Sequence, residues 1–151
     1  MLRKTLGAIV ALAISSVFAF QALAQTTPED ALDYRKAVMT ALRGHIGGAS
    51  MIARGLVEND GHLVGHARGL HAGAKELSRI FQEGSNVGES EALPVIWEDA
   101  EGFAAAIAAM EEATAAFVEA AESGDGEAIG AAFRNVGMGC RGCHDNYRVQ
   151  N

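Results

Sequence analysis

Cys140-Arg141-Gly142-Cys143-His144 is the stretch on which the reading of this chain turns. It has the form C-x-x-C-H, the attachment signature of a c-type haem. The spacing has a mechanical basis. Residues three and four apart share one face of a helix. Cys140 and Cys143 can therefore both reach the vinyl groups at one haem edge and form thioethers. His144 follows directly and can bring its imidazole under the iron as the proximal axial ligand. The motif implies one covalent haem c per chain. The residues around it then have to build a mostly apolar slot for a flat, greasy ring.

Two other chemistries use paired cysteines. A zinc site needs four ligands at related spacings, with a second Cys/His pair elsewhere. A thioredoxin-like redox pair needs a βαβ pattern around it. The chain has only these two cysteines and offers neither context.

Outward from the motif the pattern is helical throughout. Alanine is abundant, and β-branched runs bounded by turns are missing. The motif closes a helix expected from the break Ser123-Gly124-Asp125-Gly126 to about Arg148. Its apolar stripe is Ile129, Phe133, Val136, Cys140, Cys143 and Tyr147. Both cysteines lie on that core-facing stripe, so the haem they carry points inward. Before it, one helix is expected from about Val95 to Glu122, with the heptad-like seam Ile96, Ala100, Phe103, Ile107, Met110, Thr114, Phe117, Ala121. Residues 82–94 hold the breakers Gly84, Ser85, Asn86, Gly88 and Ser90 and form the one long connection. A helix from about His62 to Phe81 shows Leu63, Ala67, Leu70, Ala74, Leu77 and Phe81 on one side. The first helix starts after the N-cap Thr27, with Pro28 at its first position and Glu29 and Asp30 in its first turn. It is expected to run to about Val57, with the stripe Arg35, Met39, Leu42, Ile46, Ala49, Ala53. Four amphipathic helices with mostly short connections predict an all-α fold: an antiparallel up-and-down four-helix bundle. Glycines inside the helices (Gly44, Gly47, Gly48, Gly137, Gly139) are expected either to let the porphyrin or a neighbouring backbone approach closely, or simply to loosen exposed turns.

Residues 1–24 read as a secretory signal peptide. Arg3 and Lys4 form the positive end, Leu6 to Phe20 the short apolar run, and Ala22-Leu23-Ala24 the small-x-small cleavage site. The run falls short of the ~20 apolar residues a membrane span needs. The mature domain is then residues 25–151, placed in the periplasm without a stable membrane anchor. The full chain carries 12 Lys and Arg against 19 Asp and Glu. Without Arg3 and Lys4 the balance is 10 against 19, a charge of −9. That disfavours nucleic acid, whose recognition needs a basic footprint. It suits steering toward a basic redox partner protein, and equally plain solubility.

The chain resembles the class II cytochromes c, the group of cytochrome c′ and the low-spin cytochrome c-556 type. The resemblance rests on Arg35 with Met39, on Ile96-Trp97, on Ser123-Gly124-Asp125, and on the C-terminal motif followed by Tyr147-Arg148. It covers essentially the whole mature chain. It implies that the residue facing the iron from the far side comes from the first helix, one turn after the arginine. In this sequence that is Met39. A thioether there gives a six-coordinate, low-spin centre suited to electron transfer, whereas a distal side without a bonded ligand leaves the iron open to nitric oxide or carbon monoxide. The resemblance further implies Arg35 as partner of a haem propionate, which a guanidinium meets bidentately. It also suggests Tyr147 as a cover over the haem. Arg148 either lies at the haem edge near His144 or is a cation favoured by the helix C-terminus. Trp97 is expected to anchor packing. His62 and His66 are four apart on one face, but two ligands do not make a metal site, and surface histidines are expected. His45 lies off the Met39 stripe. The first-helix stripe offers no distal acid–base residue, so no enzyme activity is expected and no residue is assigned a catalytic role. Two functions remain: an electron carrier with His144/Met39 iron, or a five-coordinate gas-binding protein, as monomer or homodimer.

Overall fold

Thr27 caps the first helix by accepting from the Asp30 amide at 3.1 Å, with Pro28 at the first helical position. In the computed structural model, which describes residues 26–150, this helix α1 spans Pro28–Ala53. It stops short of the expected end at about Val57. Gly55 takes φ +69°, its amide reaches the Ile52 carbonyl, and the Leu56 amide reaches back to Met51. These two bonds form a Schellman ending, which needs the left-handed residue that glycine supplies. Helix α2 (His62–Ile80) follows, then residues 81–94, then a single turn α3 (Val95–Glu98). Helices α4 (Ala100–Ser123) and α5 (Gly126–Tyr147) complete the chain.

The one helix expected over 95–122 is therefore two. Asp99 leaves the helical region and caps α4 by accepting from the Gly102 amide at 3.1 Å. The seam survives the break: Ile96, Phe103, Ile107, Met110, Thr114, Phe117 and Ala121 are buried, and Ala100, beside the break, is exposed. Asp125 caps α5 in the same way, accepting from the amides of Glu127 and Ala128.

The four long helices form the expected bundle. α1 packs along α2, α2 along α4 and α4 along α5, whereas α1 meets α5 only sparsely. The ring of helices is thus closed on three sides and loose on the fourth. The core holds Leu63, Leu70, Phe117 and Val136, each at most 1% exposed. Trp97 is half-buried against it and donates from Nε1 to the Phe81 carbonyl at 3.1 Å. No described helix is long and apolar enough to cross a membrane. The segment expected as a signal peptide lies outside the described residues.

Candidate haem site

The loose side of the bundle can be mapped from its neighbours. On α1, a Cβ at Gly48 would meet the His66 ring of α2 at 2.5 Å, and the His45 ring presses on Gly69 of α2. At about 100° per residue, Met39 and Ile46 lie on the opposite flank of the same apolar stripe. On α5, a Cβ at Gly139 would meet the Met110 sulfur of α4 at 3.1 Å. His144 lies about 140° round the helix from that contact. In a ring ordered α1, α2, α4, α5, the sparse side lies between α1 and α5.

Both cysteines are free, half-buried and packed against the core, as are Met39 and Tyr147. Burial raises both thiols above their ordinary pKa, so they stay protonated. Burial lowers the pKa of His144, helped by the charge of Arg148, which favours the neutral imidazole that binds a metal. Among the described residues its ring makes no hydrogen bond; only its carbonyl is used, by the Gln150 side chain and the Arg148 amide. Among the described residues there is no group of three or more His, Cys, Asp and Glu suited to a metal ion. Two surface hollows, one beside Tyr34 and Arg79 and one against Trp97 and Phe103, lie away from the cysteines.

Arg35 carries a sharper signal. It is 5% exposed, yet no carboxylate pairs with it among the described residues. Its Nη1 donates to Ser85 Oγ at 2.9 Å and to the Ile80 carbonyl at 3.4 Å. Its Nη2 donates to the Ser85 carbonyl at 3.0 Å and to Ser90 Oγ at 3.1 Å. The guanidinium also stacks over Phe81, 5.0 Å from the ring centre. All these partners are neutral. A buried cation without a counter-ion is costly, and burial alone pulls its pKa down. Nε makes no hydrogen bond there and is not sealed off. A haem propionate is the kind of anion this environment lacks.

The other expectations divide. Tyr147 packs edge-on against Phe103 (5.0 Å), which packs against Phe81 (4.9 Å), so its ring is anchored in an aromatic row. Arg148 pairs with Glu91, Nε to Oε2 at 3.2 Å. Of the glycines, Gly48 and Gly139 admit a neighbouring side chain, whereas Gly44, Gly47 and Gly137 face open space. His62 is exposed as expected, whereas His66 is half-buried. His66 pairs with His45, not His62, with their Nδ1 atoms 3.3 Å apart, and His71 bonds the buried Thr114 at 3.1 Å. These three are half-buried. Nothing local announces that histidines 21 positions apart will meet.

The family model described as Cytochrome C' matches residues 30–148. The chain belongs to the cytochrome c′ family. Cytochrome c-554 of Cereibacter sphaeroides is 38% identical over 151 residues, covering 95% of this chain and 98% of its own. A carbon-monoxide-bound leucine-to-glycine variant of cytochrome c prime from Alcaligenes xylosoxidans superposes with a TM-score of 0.76 at 30% identity, covering 82% of this chain and 98% of its own. A ferrous arginine-to-lysine variant of the same protein with bound nitric oxide gives 0.78 at 29% identity, covering 84% and 99%. As in the rest of the cytochrome c′ family, the cofactor is haem c held covalently through the two cysteines, here Cys140 and Cys143. The half-buried thiols, the unbonded imidazole and the uncompensated guanidinium fit that group.

Proposed function

We propose that this chain is a periplasmic electron carrier whose haem iron is held by His144 and Met39. What supports this reading is spacing: at about 100° per residue Met39, packed against the core, lies half a turn round α1 from Gly48, which meets α2, and His144 lies about 140° round α5 from Gly139, which meets α4. The haem supplies a one-electron change at iron. The protein's residues do the rest. His144 offers a neutral imidazole, and Met39 offers a soft thioether that favours the reduced metal. Arg35 would balance a propionate while its Nη atoms stay on Ile80, Ser85 and Ser90. Tyr147 and the row behind it keep water from one side of the slot. Cleavage after Ala24 delivers the chain to the periplasm, and its acidic surface suits a basic redox partner.

The test is the absorption spectrum of the exported protein. Low-spin bands with a sulfur-to-iron charge-transfer band are expected, lost in Met39→Ala. An unchanged spectrum in that variant removes Met39 as ligand. A second reading is favoured by the solved relatives with bound carbon monoxide and nitric oxide. On that reading the distal side is open, the spectrum is high-spin, and carbon monoxide shifts it at once.

A further inference from the structure

Residues 81–94 do more than connect α2 to α3. Their two ends are fastened to different helices. On one side Arg35 of α1 holds Ser85, through its hydroxyl and its carbonyl, and Ser90 through its hydroxyl. Ser85 is 1% exposed and its hydroxyl donates on to the Gln82 carbonyl at 2.6 Å. On the other side the strand-like pair Ala92 and Arg148 joins the segment to the end of α5. The Leu93 amide donates to the Tyr147 carbonyl at 3.0 Å and the Val149 amide to the Glu91 carbonyl at 2.9 Å. The Glu91 carboxylate meets Arg148.

The two fastenings come together at Ser90 and Glu91, which are neighbours in the chain. One peptide bond therefore separates a contact to α1 from a contact to α5. Arg35 stands one turn before Met39, and Arg148 one turn after His144. The path from one to the other runs across the seam that the helices themselves leave loose. An aromatic row runs beside it, from Arg35 over Phe81 and Phe103 to Tyr147. We infer that the Ser90–Glu91 junction is a positioning tie that sets the distance between the two helices flanking the haem, and so the grip on the distal face of the iron. The identity of the distal group as Met39 rests on the function proposed above; the tie itself does not.

The experiment inserts two glycines between Ser90 and Glu91 in the full holoprotein. Every contacting residue is kept and only the one-peptide span is lengthened. The readout is the rate at which carbon monoxide binds the ferrous protein. An increase of about tenfold is expected, the size of losing the net contribution of one to two hydrogen bonds. Ser90→Ala, which removes a single fastening, is expected to move the rate in the same direction by less. It serves also if the insertion does not fold. Thermal unfolding is followed in parallel, because a merely structural loop would lower the midpoint and leave the gas rate alone. Variants that bind carbon monoxide at the wild-type rate overturn the tie. A wild-type ferric spectrum without the sulfur-to-iron band overturns Met39 instead, and leaves the rate comparison to decide the tie.

Discussion

The seam between α4 and α5 and the seam between α1 and α5 use similar residues to opposite ends. The first interlocks. Phe117 and Phe133 pack with ring centres 5.6 Å apart, and Met110 fits over Gly139. Ile129, Ala132 and Val136 are all buried there. The second is sparse, and Met39, Ile46, Cys140, Cys143 and His144 stay half-exposed. A side chain can fill a gap only as wide as itself, so a seam lined with apolar groups and left apart marks where something other than protein completes the packing. On the function proposed above, the haem would do so: the closed seam is a folding device, and the open one would be a binding device.

The sharpest break in that contrast is Cys140→Ala with Cys143→Ala. It is expected to remove the covalent haem entirely, read as loss of one tetrapyrrole from the intact mass. It should lower the melting temperature more than any change below. The closed seam should behave differently. Phe117→Ala is expected to cost about 3–5 kcal/mol in urea unfolding, and by the same amount in holoprotein and apoprotein. A cost that vanished without haem would erase the distinction between the seams.

The α1–α2 seam tests the same idea on glycines. Gly48→Ala drives a methyl into the His66 ring and is expected to destabilise by about 1–3 kcal/mol. Gly47→Ala, one residue away and facing open space, should instead stabilise by about 0.4–1 kcal/mol. Denaturant midpoints of the two variants should move in opposite directions.

The smallest effect belongs to the rim. Tyr34 donates to Glu76 at 2.8 Å, and Arg79 donates to both. The Arg79 and Tyr34 hydrogen bonds hold the Glu76 carboxyl below its ordinary pKa. A carboxyl lowered on folding stabilises above the ordinary carboxylate range, and that stabilisation is lost as the pH falls through its folded value. Glu76→Gln should lower neutral stability slightly and leave stability at low pH unchanged, which flattens the acid limb of the stability–pH curve. A steep change at neutral pH would show that this exposed cluster matters more than its screening allows.

Much of this was legible along the chain. The haem tether needs only the spacing of Cys140, Cys143 and His144, and the bundle needs only apolar stripes repeating about every 3.6 residues. The caps Thr27 and Asp125 act within three residues of themselves. These are local, and local geometry follows from residue order. Asp99 was legible in principle as a cap, but the apolar seam runs unbroken past it and hides the break. The partners of Arg35, His45 and Arg148 were decided by the fold alone. Ser85 and Ser90 lie 50 and 55 positions from Arg35, and His66 lies 21 from His45. Nothing in a helix stripe says which flank turns to which neighbour. That follows only when four helices close into a ring and leave one side loose, because burial is settled by the whole set of surfaces at once.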